Sequence, residues 1–286
     1  MLYQPIRNSA QLTPSAVRFQ VAAPPADLAG QVMDFWQYDV REPLDIVRIQ
    51  VFPSGCVVLR FNLDPHGAEA IVYGPSLRPT MRSIFVGGVS AFGAALRLEA
   101  ARDILRCDVA ELCDLRLGQE LFFGRRLPAL CESLWRTQSF EDRTQVLASF
   151  LRARSNGRRT PHGDFLEALS HIERGARTTP LPRALRISER TLRRHFDRHV
   201  GLAPKQLERV VRVQTALRAL VARPDSPATR LALDAGFSDQ PHFSREFKRL
   251  MGLTPGAFAR CHPRFHDPTL PIWDELNQRL SGTSSS

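Results

Sequence analysis

The residues best placed to do chemistry are arginines, and they fall in two sets that share a spacing. Arg190, Arg193, Arg194 and Arg198 form one set; Arg245 and Arg249, with His242 and Lys248, form the other. The two stretches match at an offset of 51 residues. Leu192 falls on Phe243, Arg194 on Arg245, Phe196 on Phe247, Arg198 on Arg249, Gly201-Leu202 on Gly252-Leu253 and Pro204 on Pro255. Ser188 and Asp239 also correspond, and both suit a helix N-cap, where a side-chain oxygen accepts a hydrogen bond from a free backbone N–H. Matching over a helix and its following turn points to a duplicated supersecondary unit.

Charge follows the repeat. The chain has a net charge of +10, and residues 158–266 hold 21 Lys+Arg against 10 Asp+Glu, or +11. The remainder holds 18 basic and 19 acidic residues (39 − 21 and 29 − 10), or −1. A basic segment of this kind suits phosphate binding, because each neutralised phosphate releases condensed counterions. A solvated basic surface is the plainer reading of charge alone, so the sorting of faces has to decide.

In the first stretch Leu192, Phe196 and Val200 share one face at helical spacing, and Arg190, Arg193, Arg194 and Asp197 lie on the other. In the second, Phe243, Phe247 and Leu250 point inward while His242, Arg245 and Arg249 point out, with Lys248 beside them. A supporting helix precedes each: Leu181 to Leu185, then Thr229 to Ala235, which Gly236 can end in a left-handed cap. Two helices so joined form a helix-turn-helix, whose second member enters the DNA major groove by its N-terminal part. Lys205 to Ala222 contains neither Pro nor Gly, and its apolar side runs through Leu207, Val210, Val211, Ala216, Leu217 and Leu220. At about 1.5 Å per residue its 18 residues span roughly 27 Å, against roughly 34 Å for one DNA turn. A generic amphipathic bundle with exposed arginines would not need the duplication, the paired caps and the charge asymmetry together.

The first half reads differently. Segments 46–52 and 56–63 alternate or run apolar, with Pro53-Ser54-Gly55 and Asp64-Pro65-His66-Gly67 as breaks. Ile71-Val72-Tyr73 and Ile84-Phe85-Val86 continue the pattern, which predicts a small antiparallel sheet or barrel. From Leu96 the period turns helical: Leu96, Ala100, Ile104 and Leu105 share a face, as do Leu127, Leu130, Cys131 and Leu134, then Val146, Leu147, Phe150 and Leu151. The expected organisation is α+β: a β-rich domain with a helical extension over 1–152, a linker over 153–163, an all-α double helix-turn-helix module over 164–266, and a tail over 267–286 whose Ser-rich end is expected to be disordered.

Other chemistries are weighed against this. Cys56, Cys107, Cys113, Cys131 and Cys261 are odd in number and lack a CxxC pair, which argues against a disulfide framework or structural zinc. Cys107 and Cys113 are the one pair to consider for redox sensing. The eight histidines (His66, His162, His171, His195, His199, His242, His262, His266) show no HExxH pattern. His195 and His199, four apart, lack a third ligand and are expected to be solvated or to meet phosphate. No metal or cofactor is expected. Trp36, Phe61 and Tyr73 suggest a ligand pocket but at these spacings read as core. The N-terminus lacks a basic stretch before an apolar run, and Ser83 to Leu96 is short of the roughly 20 apolar residues of a membrane span, so a cytoplasmic chain is expected.

The run Leu231-Ala232-Leu233-Asp234-Ala235-Gly236-Phe237-Ser238-Asp239-Gln240-Pro241-His242-Phe243-Ser244-Arg245-Glu246-Phe247-Lys248, then Gly252-Leu253-Thr254-Pro255, resembles the second helix-turn-helix of the AraC/XylS family of bacterial transcription regulators. Ser188-Glu189-Arg190-Thr191-Leu192 through Gly201-Leu202-Ala203-Pro204 resembles the first. The resemblance covers about 100 residues. It implies a homeodomain-like, seven-helix module that contacts two successive major-groove segments of double-stranded DNA, usually to recruit RNA polymerase as an activator. Carried over by position, Ser188, Arg190, Thr191, Arg193, Arg194 and Arg198 from the first unit, and Asp239, Gln240, His242, Ser244, Arg245, Lys248 and Arg249 from the second, form the DNA-binding set. The three arginines 190, 193 and 194 read bases or clamp phosphates, since phosphate and sugar take half to two-thirds of such hydrogen bonds. Two departures are visible: Pro182 where the family has a small residue, and Arg186 where it has Gly. Pro180 and Pro182 predict a shortened first support helix.

More loosely, Phe35-Trp36, Phe52-Pro53-Ser54-Gly55-Cys56, Phe61-Asn62-Leu63, Val72-Tyr73-Gly74-Pro75 and Phe92-Gly93 before a helix at Leu98–Leu105 resemble an AraC-like N-terminal domain of uncharacterised function. That implies a domain that senses a small-molecule effector or forms a homodimer. The enzyme alternative is a DNA alkyltransferase, because AraC-type modules also occur fused to enzymes with a reactive Pro-Cys-His. Arg260-Cys261-His262-Pro263 lacks the leading Pro, so a non-enzyme is expected.

Overall fold

A computed structural model describes residues 3–6, 17–40, 47–51, 53, 55–77, 80–84, 90–155, 163–223 and 225–261. Nine strands among them form two antiparallel sheets. The smaller has three strands in the order β1 (Tyr3–Ile6), β4 (Val47–Val51), β7 (Thr80–Ile84). The larger runs β2 (Val17–Ala22), β3 (Val32–Val40), β8 (Ser90–Leu96), β5 (Val57–Asp64), β6 (Gly67–Tyr73), β9 (Arg116–Gly118). The antiparallel sheet is thus as expected but larger. Strands β3 and β8 carry Asp34, Gln37 and Gly93 among their apolar residues, which hides them from a simple alternation. Leu96 closes β8 rather than opening a helix.

Each face of the large sheet has its own core. Phe35, Leu59, Phe61, Val72 and Phe92 face the helices α1 (Leu98–Leu105), α3 (Leu127–Arg136) and α4 (Phe140–Ser155), packing with Ile104, Leu134 and Leu147. The short α2 (Glu120–Phe123) adds Phe123 to the same core. Trp36, Tyr38, Val58, Ile71 and Tyr73 form the core of the opposite face, where Trp36 stacks on Tyr38 with centroids 5.6 Å apart. Gly93 makes room for that stack: a Cβ there would stand 2.2 Å from the Leu59 carbonyl and 2.7 Å from the indole. Trp36, Phe61 and Tyr73 are therefore core, and the period-2 pleat divides them between the two faces.

The helix α4 reaches Ser155, three residues into the segment expected as linker. It is held there because Arg154 donates to the carbonyls of Ile104 and Phe122. The next described helix, α5 (Gly163–Glu173), begins at the residue that ends that segment; 156–162, the tail and residues 85 and 86 lie outside the described residues. Then follow α6 (Leu181–Ala184), α7 (Glu189–His199), α8 (Pro204–Ala222), α9 (Ala228–Asp234), α10 (Gln240–Met251) and α11 (Pro255–Cys261). Among the described residues seven helices thus follow the sheet domain, with α8 between two similar halves. Pro182, Pro204 and Pro241 sit in first turns, where a missing N–H costs nothing. The proline-bounded α6 has only four residues, as expected.

Candidate nucleic-acid interface

Both outward helices start the same way. Ser188 Oγ accepts from the Thr191 N–H at 3.0 Å, opening α7; Asp239 Oδ1 accepts from the His242 N–H at 2.7 Å, opening α10. The bond from His242, then one from the Ser238 hydroxyl, holds the Asp239 carboxyl below its ordinary range. The ends match as well: Gly201 and Gly252 take φ of 71° and 75°, and Pro204 and Pro255 begin the following helices. The sequence repeat is thus a repeat of backbone conformation. Replacing Ser188 with Ala is expected to cost about 1 kcal/mol, read as a lower urea midpoint. A midpoint unchanged by the substitution would show that the α7 cap is not used in solution.

Apolar spacing decides which side faces inward. Leu192, Phe196 and Val200 are buried beside Phe165 and Leu169 of α5. Phe243 and Phe247 are fully buried, with centroid spacings of 5.3 Å from Phe237 to Phe243, 5.6 Å on to Phe247 and 5.9 Å on to Phe258. The opposite faces are left to solvent. Arg190, Arg193, Arg194, Arg198, Gln240, Arg245, Lys248 and Arg249 are exposed; Thr191, His242 and Ser244 are partly so. His242 is oriented edge-on to Phe237, centroids 5.5 Å apart. The thirteen residues singled out from the sequence therefore lie on α7, α10 and their caps. Both sets are basic and outward, and run from the N-cap to the last turn of their helix.

The turn before α7 departs from its counterpart. Gly236 takes φ 73°, a region open to glycine, whereas Arg186 occupies the same region at φ 54° with a side chain attached. Such a residue carries backbone strain of about 1–2 kcal/mol.

Sequence reasoning misplaced the histidine pair. His199 stacks on Phe165 at 4.9 Å between centroids, and His195 lies 6.1 Å from the same ring with Asp164 at 3.9 Å. Neither points with the arginines. Burial, then Arg102 of α1, lowers the His199 pKa. The reason is a contact between the halves of the chain: α1 and the 3-10 turn Val109–Leu112 pack on α7. The Cys113 thiol donates to the Gly201 carbonyl at 2.7 Å, and Gln214 donates to the Pro53 carbonyl at 3.3 Å. A Cβ on Gly201 would stand 2.6 Å from the Val109 carbonyl oxygen. Cys56, Cys107, Cys113 and Cys131 form no disulfide. Burial pushes Cys107 and Cys113 up to about 11, the opposite of a reactive thiolate.

Sequence reasoning also missed a buried charged cluster under the interface. Glu208 and Arg212 on α8 are 1% and 5% exposed in their side chains and lie 3.6 Å apart. Burial opposes the charge on Glu208, but hydrogen bonds from Lys205 and Thr178 outweigh it and hold the carboxyl below its ordinary range. Burial, then Arg177, lowers the Arg212 pKa. Glu208 and Arg212 lie four apart on a helix, a spacing common for exposed pairs, so nothing in the sequence marked them as interior. Among the described residues no cluster of three or more His, Cys, Asp or Glu could hold a metal ion, and no helix is long and apolar enough to cross a membrane.

Two capped, basic, outward helices on a seven-helix frame define a helix-turn-helix DNA-binding module. Residues 181–260 match the family model described as a helix-turn-helix domain, and residues 20–117 match a domain of unknown function, DUF6597. The transcriptional regulator GlxA of Rhizobium meliloti is 31% identical over 191 residues, 65% of this chain and 54% of that protein. The transcriptional activator RhaS of Escherichia fergusonii is 38% identical over 69 residues, 24% of each chain. The chain thus spans about half the length of the first of these relatives and a quarter of the second. A crystal structure of an AraC-type regulator from Chromobacterium violaceum is 25% identical over 35% of this chain and 91% of that one, with a TM-score of 0.31. Fatty-acid-bound ToxT of Vibrio cholerae is 14% identical over 87% of this chain and 97% of that one, with a TM-score of 0.40. The chain thus carries a helix-turn-helix domain behind a DUF6597 domain.

Proposed function

We propose that the protein is a transcription regulator of the cytoplasm that binds double-stranded DNA with α7 and α10 in two successive major-groove segments, as an activator that recruits RNA polymerase. One observation carries this reading: the two helices present their basic faces from identically capped, identically terminated repeats. In the first unit Arg190, Arg193 and Arg194 supply base or phosphate contacts. In the second, Gln240, His242, Ser244 and Arg245 do so, with Lys248 and Arg249 on phosphate. The names of the relatives, all transcriptional regulators, support the same reading.

The N-terminal domain supplies the control in this reading. It bears directly on α7, so a small-molecule effector or a second copy bound to it has a physical route to the first unit. A groove of about 370 Å³ lined by Ile71, Arg116, Leu117, Glu120, Leu127 and Cys131 offers an effector both charge and apolar surface. No specific observation favours the alkyltransferase reading.

Selection of bound duplexes from a randomised pool gives the specific site. On it, log K is expected to fall with log salt concentration at a slope near −0.9 per neutralised phosphate. Arg245→Ala should weaken binding by at least about 1 kcal/mol, through loss of a bidentate base contact or a phosphate contact. Unchanged affinity in filter binding or anisotropy would remove Arg245 from the interface.

A further inference from the structure

The two helix-turn-helix units are joined by more than the length of α8. Glu208 Oε2 accepts from the Thr178 backbone N–H at 2.9 Å and from its hydroxyl at 2.7 Å, in the turn ahead of the first support helix. Lys205 Nζ donates to both carboxylate oxygens at 2.9 Å. One turn further along α8, Arg212 reaches in the other direction. Its Nε donates to the Ala235 carbonyl at 3.1 Å, its Nη2 donates to the Gly236 carbonyl, and its guanidinium lies 3.9 Å from the Phe237 ring centre. Arg177, beside Thr178, donates to the same Gly236 carbonyl at 2.9 Å. The turn of the second unit is therefore tied to the segment entering the first by a largely buried chain of charge-assisted hydrogen bonds.

Apolar packing along α8 would hold the units together but would tolerate small rotations, because dispersion contacts have little direction. Hydrogen bonds from a planar guanidinium to two fixed carbonyls do not. A buried ion pair also adds little stability over a well-packed apolar pair of the same volume, and its best-attested use is to specify one geometry among alternatives. We propose that Glu208 and Arg212 are positioning residues that fix the rotation and separation of the two recognition helices, and so set the half-site spacing on DNA that the protein accepts. The proposal rests on the two-unit reading above. Moving one half-site by a single base pair shifts it by about 3.4 Å and rotates it by about 35° around the duplex. A rigidly coupled pair of helices cannot follow that displacement, whereas a loosely coupled pair can.

The experiment uses the full chain and the duplexes it selects from a randomised pool. Two sequence blocks are expected, and insertion or deletion of one base pair between them should weaken wild-type binding about tenfold or more, as loss of one block's contacts does. Arg212→Lys keeps the charge but not the paired donors, and Glu208→Gln keeps the volume but not the charge. Each is expected to compress the spacing preference to less than about threefold while both blocks remain in the selected site; the figure reflects tolerance of one-base-pair displacement. Retention of the full spacing preference by either folded variant, whether or not overall affinity falls, overturns the coupling and leaves the two-unit reading standing. Selection of a single block by the wild type overturns the two-unit reading and this proposal with it. Thermal unfolding of each variant, followed by circular dichroism, identifies which of the two is folded, and one folded variant is sufficient to decide.

Discussion

Replacing Phe247 with Ala is expected to destabilise the C-terminal module by about 3–5 kcal/mol and to abolish specific DNA binding at physiological temperature. The ring is fully buried and lies between two others, Phe243 at 5.6 Å and Phe258 at 5.9 Å. Its removal takes the transfer free energy of the side chain and leaves a cavity that Val213, Leu250 and Met251, already packed in the same core, can refill only in part. A domain's total stability is about 5–15 kcal/mol, so a loss of this size leaves a large unfolded fraction. No exposed residue of α10 changes, so lost binding would come from lost order in the helix rather than from a lost contact. Urea unfolding with DNA affinity measured alongside checks this. A midpoint shifted by less than about 1 kcal/mol equivalent would mean that the aromatic column does not hold α10 in place.

The second large effect is expected at Glu208. Truncation to Ala leaves Arg212 buried with its carboxylate partner gone, and Thr178 loses the acceptor for both its N–H and its hydroxyl. Breaking a buried pair from one side costs about 3–5 kcal/mol, because the remaining charge is uncompensated. Glu208→Gln should cost less, since it keeps the volume and polarity of the side chain and gives up only the charge that strengthens the bonds from Thr178 and Lys205. The pH dependence separates the two causes. Hydrogen bonds from Lys205 and Thr178 hold the folded carboxyl below its ordinary value, so the unfolded chain binds this proton more readily than the folded one. The stabilisation is therefore complete above the ordinary carboxylate range and is lost as pH falls through that range toward the lower folded value. Stability measured from neutral pH downward should show the wild type losing its advantage over Glu208→Gln on acidification. An advantage constant with pH would mean that the charge on Glu208 is not what stabilises the fold.

Much of the candidate interface was legible in the residues themselves. The 51-residue repeat, the caps at Ser188 and Asp239, and the faces carrying Leu192, Phe196, Phe243 and Phe247 are all local patterns, and a helix expresses a local pattern directly. The sheet was harder. Alternation marked the strands around Ile49, Phe61 and Val72, but β3 and β8 pass through polar or small residues and pair with strands distant in sequence. Their existence depends on partners that no window of the chain contains.

What the sequence determined by itself is the double, basic, capped helix-turn-helix, because periodicity and N-caps act within a few residues of one another. Tertiary structure decided three things that spacing cannot reach. It turned His195 and His199 away from the arginines and onto Phe165, against α1 of the N-terminal domain. It placed Arg186 in the left-handed region where its counterpart has Gly236. It buried Glu208 and Arg212, which lie at an ordinary surface spacing on α8, between two turns that meet only when the chain has folded. The physical reason is common to all three: burial and hydrogen-bond partners are properties of neighbours in space, and only the folded chain chooses those neighbours.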